Sequence, residues 1–289
     1  MARKEKSVSG SNTIPIETGT DELLARLDSH VAIVTLNRPE ARNSLSDRLT
    51  PAFRKLLPII ADDPDVRSLL ITGAGTAFCA GGDVKGMASP GRENVDTSTR
   101  PPTKQERIDD LRDRQITLTG ALYDFPKPTL AALPGAAAGA GLSIALACDL
   151  RIASHSAFIT TAFANIGLSG DYGASFFLTQ LVGTSRAREL FFSAERVDAK
   201  RCEALGIVNR VVPDDQLQND AFEWARRLAS GPTAAFRIMK RNLDRALRTD
   251  LHTCLAHEAE GLIECATTKD HRAAVEAFIK KKKPVFGGS

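Results

Sequence analysis

The chain has 289 residues, with 38 Lys and Arg against 35 Asp and Glu. That length suits one or two domains, and the near-balanced charge argues against a dedicated nucleic-acid binder. At 43% hydrophobic and 25% charged the chain can bury a core, which excludes wholesale disorder, and no apolar run approaches the roughly 18–20 residues that span a bilayer.

Residues 1–20 read as a polar tail, charged at Met1–Lys6 but without the apolar stretch of a secretory signal. Leu23–Leu27 and Val31–Leu36 are β-rich runs around Asp28-Ser29-His30, the pattern of a hairpin. A helix is predicted from about Ser46, with Leu49, Phe53, Leu56 and Leu57 on one stripe, ending at Asp62-Asp63-Pro64. Ser68–Thr72 is a buried strand stopped by Gly73-Ala74-Gly75, and Phe78–Asp83 reads as a second glycine-rich loop. Residues 88–106 lack periodicity and read as a surface excursion.

Leu111–Tyr123 is predicted helical and Pro126–Leu133 leads into a strand. A small-residue loop, a buried helix over Gly141–Cys148 and a strand over Leu150–Ala153 follow. Asn165–Tyr172 is again glycine-rich. From Ala174 the pattern turns helical (174–182, 185–194, 199–205, 217–230, 232–247, 249–268 and 270–281), with one late strand at Val208–Val212. Strand–helix alternation followed by helices predicts an α/β core over 21–205 and a mostly helical region over 206–289.

The five cysteines are widely spaced without a CxxC, and the five histidines form no HExxH. Reduced thiols in the cytoplasm and no metal site are expected. Gly139-Ala140-Gly141-Leu142-Ser143-Ile144 lacks the third glycine of a dinucleotide fingerprint, and no GxxxxGK[ST] is present. Gly141–Ile144 and Gly167–Gly170 are near misses to the nucleophile elbow, each lacking a Gly two residues after its Ser.

The chain has 40 Ala and 21 Gly, and eight Ala and three Gly fall within residues 131–148. This concentration is read either as tight helix–sheet packing or as loops whose backbone N–H groups meet a ligand closely.

Three segments carry a resemblance. Ile33–Leu45 (IVTLNRPEARNSL), Ile71–Val84 (through FCAGGDV) and Pro134–Asp149 (PGAAAGAG through ACD) resemble, in order, the signatures of the enoyl-CoA hydratase/isomerase (crotonase) family. The resemblance covers roughly residues 20–289. It implies a spiral of ββα units with a helical C-terminal trimerisation region, an acyl-CoA substrate, no cofactor beyond the CoA that arrives with the substrate, and a homotrimer or hexamer. It places two backbone N–H donors for the thioester oxygen at Gly82 and Ala140. It places CoA contacts at Ala41, Arg42, Ala80, Gly82, Asp83, Val84, Gly139 and Ala140, with Lys282 in a tail similar to one that reaches a neighbouring subunit's CoA.

The two glutamates of the hydratases are replaced, by Ser143 and by Phe163. Neither side chain is an unassisted proton-transfer group at neutral pH. Asp171, in Gly167-Leu-Ser-Gly-Asp-Tyr-Gly173, resembles the acid of isomerase and dehalogenase relatives, and its alternative is an Asx-turn or N-cap for the helix from Ala174. One-carboxylate chemistry, such as double-bond isomerisation or an atypical hydration, is the expected activity. The alternatives are a dehalogenase or thioesterase with Asp171 as nucleophile, and a non-catalytic CoA-binding or RNA-associated relative.

Overall fold

The computed structural model describes residues 13–82 and 100–288. Asp83, Val84 and most of the 88–106 excursion lie outside the described residues. The main sheet has the order β1-β2-β3-β4-β6-β8-β11, formed by β1 (Ile14–Ile16), β2 (Leu23–Asp28), β3 (Val31–Leu36), β4 (Ser68–Gly73), β6 (Thr129–Leu133), β8 (Leu150–Ser154) and β11 (Arg210–Val212). β1, β2 and β3 pair antiparallel, confirming the hairpin, and β3 through β11 run parallel. A second sheet, β10-β9-β7-β5, joins β5 (Ala77–Cys79), β7 (Ala136–Ala138), β9 (Phe158–Thr160) and β10 (Val197–Asp198).

The parallel strands read as continuous apolar runs because both faces are covered. Val31, Ile33, Leu70, Leu130 and Ile152 face a helix, α6 (Leu217–Ala229), through Leu217, Ala221, Ala225 and Ala229. The alternate residues Ala32, Val34, Leu36, Leu69, Ile71 and Leu133 enter the larger core with α1 (Leu49–Asp62), α3 (Ala140–Ala147) and the second sheet. The first turn of α1 is held by Ser46, whose Oγ accepts the Leu49 N–H at 2.9 Å. Between these lie α2 (Lys104–Gln115), which passes through a π turn at Ile116–Gly120, and α4 (Ala174–Ser193), broken by the non-helical Gly183 where two helices were predicted. α5 (Ala199–Ala204), α7 (Thr233–Ala246), α8 (Leu251–Ala266) and α9 (Lys269–Ile279) complete the order.

Two boundaries differ from the sequence reading. β1 lies inside the expected N-terminal tail, because Ile14–Ile16 finds a partner in β2. The sheet also runs past residue 205: β11 pairs with β8 and α6 covers it. β5 and β7 were read as loop and β9 and β10 were not predicted, since these strands are two or three residues long and β7 is polyalanine, with little strand preference of its own.

The C-terminal tail folds back on the start of β4. Buried Arg67 donates to Thr233 Oγ1 (3.1 Å), Phe286 O (3.0 Å) and Gly231 O (2.7 Å), while the Asp270 carboxylate accepts the Gly287 and Gly288 N–H groups. Removing a buried cationic hub leaves its carbonyl partners unsatisfied. Arg67→Ala is therefore expected to lower unfolding stability by about 2–4 kcal/mol in urea titrations and to open residues 284–288 to limited proteolysis.

Candidate functional site

The site is built where the parallel strands end. The segment after β3 is stitched to the loop after β4 by Asn43, fully buried and left-handed at φ 56°. Its Oδ1 accepts the Arg38 N–H at 2.8 Å, and its Nδ2 donates to Ala74 O (2.9 Å) and Ala77 O (2.7 Å). Asn tolerates this backbone region better than most residues. Arg42 O accepts the Ala80 N–H at 2.9 Å, and the Leu45 N–H donates to Gly81 O at 2.8 Å. Residues 80–82 are thereby fixed against 42–45.

The second loop is brought to the first by strand pairing. β5 and β7 run parallel, with Ala77 opposite Ala136 and Cys79 opposite Ala137. Gly141 packs so closely on Cys79 that a Cβ there would collide with the Cys79 carbonyl oxygen. A Cβ on Gly81 would lie 2.7 Å from Ala138 O and 3.3 Å from Ala140 N. The 80–82 and 138–141 loops thus touch backbone to backbone. Ala140 is the first residue of α3, so its N–H lies at the positive end of that helix. Among the described residues neither the Gly82 nor the Ala140 N–H donates to a backbone carbonyl outside the helices and strands. Cys79 lies beneath the contact, and burial pushes its thiol up to about 12, which leaves it inert as a nucleophile at neutral pH.

Ser143, Phe163 and Asp171 converge on this point. The buried Ser143 hydroxyl is 3.0 Å from Asp171 O and 3.3 Å from Gly139 O, so one side chain links the Asp171 loop to the residue before Ala140. The Phe163 ring lies between the loops: a Cβ on Gly139 would be 3.6 Å from it and one on Gly170 3.5 Å from it. It also stacks on Phe191, with centroids 6.1 Å apart.

Asp171 does not cap α4. Gly173 is the N-cap and no side chain caps that end. The Asp171 Oδ1 is buried with no hydrogen-bond partner, and burial pushes the carboxyl from 3.8 up to about 6. A partly buried acid with one oxygen unpaired, held near neutrality, has the protonation behaviour of a general acid–base. Tyr172 is buried in the main core.

The remaining sequence-predicted residues divide. Ala80 and Gly139 lie in the two touching loops, and Ala41 and the exposed Arg42 lie on the adjoining segment. Asp83 and Val84 lie outside the described residues. Lys282 is not brought to the site within its own chain. Its tail is anchored at Arg67, at the start of β4, whereas Gly82 follows that strand's other end. Sequence reasoning missed Asn43 as a clamp, and it missed Gln115, whose Oε1 accepts the Tyr172 N–H at 2.7 Å from 57 positions away. No local pattern marks such a long-range partner.

The raised Asp171 value has a stability signature. From about pH 4 to about pH 6 the folded protein holds a proton that the unfolded chain has lost, so stability falls as pH rises through this window. Asp171→Asn removes this penalty. It is expected to be about 1–2 kcal/mol more stable than the parent at pH ~7.5, below the full linkage because the carboxyl is only partly buried, with the gap closing near pH ~4. Urea titrations at both pH values check this.

Residues 26–289 match the family model described as enoyl-CoA hydratase/isomerase. The chain is 32% identical over 269 residues to the short-chain-enoyl-CoA hydratase of Clostridium acetobutylicum, covering 91% of this chain and 96% of that one. It is 33% identical over 266 residues to the 1,2-epoxyphenylacetyl-CoA isomerase of Escherichia coli, covering 92% and 98%. The crystal structure of an enoyl-CoA hydratase from Bacillus anthracis superposes with a TM-score of 0.82 at 29% identity, covering 93% of this chain and all of that one. The α/β core with its parallel sheet and helical C-terminal region is the fold of these enzymes. The motifs, the convergent loops and the comparisons agree: the chain belongs to the enoyl-CoA hydratase/isomerase family.

Proposed function

We propose that this protein isomerises the double bond of an acyl-CoA thioester, with Asp171 as its single acid–base. The observation that carries the reading is the buried, unpaired Asp171 Oδ1, on a segment that Ser143 ties to the loop before Ala140, in a site where Ser143 and Phe163 offer no second carboxylate. In this reading the thioester oxygen sits between the Gly82 and Ala140 N–H groups. Fixed donors of this kind are worth about 3–4 kcal/mol each to a developing oxyanion. The Asp171 carboxylate takes a proton from C2 of a 3-enoyl-CoA, and the electron pair moves onto the oxygen as a dienolate. The protonated Asp171 returns the proton at C4, the oxygen's charge collapses, and a 2-enoyl-CoA leaves. Proton and charge balance without a second acid.

Hydration, the reaction in the name of the Clostridium relative, also needs a positioned water. Phe163 has no group to hold one, and the Ser143 hydroxyl is engaged with backbone carbonyls. CoA is the only coenzyme this chemistry needs, and it arrives with the substrate. Arg42, exposed and bonded through its carbonyl to the Ala80 N–H, would supply a cation for CoA phosphate. In this reading Ala41, Ala80 and Gly139 would frame the remaining CoA contact. The family resemblance implies a trimer or hexamer, and the apolar side chains left bare on the helical third, among them Leu243 and Leu262 at 71% and Phe278 at 84% exposed, support association there. Lys282 would then serve a neighbouring subunit's site. Among the described residues no helix is long and apolar enough to cross a membrane, and we place the enzyme in the cytoplasm, where its free cysteines stay reduced.

With trans-3-hexenoyl-CoA as substrate, Asp171→Asn is expected to reduce kcat by about 10³-fold or more while changing acyl-CoA affinity less than about threefold. The parent's kcat/KM should rise with pH through about 6, where the base loses its proton. Retention of turnover in Asp171→Asn removes Asp171 from the mechanism.

A further inference from the structure

The segment carrying Asp171 is poorly suited to hold a fixed shape by itself. Gly167, Gly170 and Gly173 all have positive φ, at 68°, 104° and 81°. Between the last two, Tyr172 is left-handed at φ 51°, a conformation that costs a non-glycine residue roughly 1 kcal/mol or more. The catalytic carboxyl has no hydrogen bond of its own at Oδ1. Something outside the segment must therefore set its direction.

Two side chains from different helices grip one peptide unit. The Ser143 hydroxyl in α3 is 3.0 Å from Asp171 O, nearer than the 3.3 Å to its own helix's Gly139 O. A hydroxyl has one proton, and the shorter contact points it at Asp171. On the other side of the same peptide, the Tyr172 N–H donates to Gln115 Oε1 at 2.7 Å. Gln115 is the last residue of α2, immediately before the π turn at Ile116–Gly120, and π turns recur at functional positions in helices. The second lone pair of Asp171 O accepts the Ala174 N–H at 3.2 Å. The plane between Asp171 and Tyr172 is thus fixed at its carbonyl and at its N–H, and the Asp171 side chain leaves from the Cα at its edge.

We infer that Ser143 and Gln115 are positioning residues, which clamp the Asp171–Tyr172 peptide from two helices and so aim the Asp171 carboxyl at the substrate. Ser143 stands where the hydratases carry an acid, so the position has exchanged proton transfer for support of the acid on another loop. The inference rests on the reading of Asp171 as the base. Misplacement of a reacting group by about 1 Å can cost about 10²-fold in rate.

The test measures kcat and KM for trans-3-hexenoyl-CoA in the full-length parent, Ser143→Ala, Gln115→Leu, the double variant and Asp171→Asn, with acyl-CoA affinity and thermal midpoints alongside. Each single variant is expected to lose about 10–100-fold in kcat with KM within about threefold. The double variant should lose little more than the worse single one, because releasing either end frees the same peptide. Turnover within twofold of the parent in either single variant overturns the clamp. So do losses that multiply in the double variant, and so does a fall in kcat accompanied by equal loss of acyl-CoA binding. Full turnover by Asp171→Asn instead overturns the underlying reading, which separates the two failures.

Discussion

The pairing of two three-residue parallel strands, β5 and β7, is the constraint on which the site depends. Each strand alone is too short to order itself, and β7, all alanine, carries little strand preference. Set side by side they deliver residues 80–82 and 138–141 to the same place. Backbone contact there is possible because Gly81 and Gly141 have no Cβ to separate the loops. Asn43 supplies the other half of the fixation, tying the segment after β3 to Ala74 and Ala77 with a fully buried amide. Preorganisation of this kind is what makes backbone donors effective, since no reorganisation is needed when charge develops.

The second determinant is desolvation. Asp171 stands unpaired at Oδ1 beside buried aromatics, and burial is the cause of its raised protonation midpoint. A paired carboxylate at this position would be held ionised and would be a weaker proton donor. The same apolar surroundings, with Phe163 stacked on Phe191, leave little to hold a reactive water. In the proposed reading this is what favours isomerisation, which needs one proton carrier, over hydration, which also needs a water held in place.

Much of this was legible in the sequence. The apolar runs of β3, β4 and β6 declared themselves because both faces are buried, and the break in α4 was visible at Gly183. Gly82, Ala140 and Asp171 were singled out from motifs whose spacing is local, and their roles belong to the proposed reading. What the sequence hid is long-range or short-lived in pattern. The second sheet consists of strands too brief to show a period. Gln115 meets Tyr172 across 57 positions and Arg67 meets Phe286 across 219. The cap reading of Asp171 was plausible from its place before Ala174, and it was removed only when Gly173 proved to be the N-cap.

Product partition from a single substrate separates the chemistries most directly. Purified protein is incubated with a 2-enoyl-CoA, and the thioesters formed are resolved by chromatography and mass spectrometry. The proposed isomerisation gives the 3-enoyl isomer without a change in mass, with the mass gain of one water absent or far slower. Formation of 3-hydroxyacyl-CoA at a rate equal to or above isomerisation would contradict the proposed isomerase.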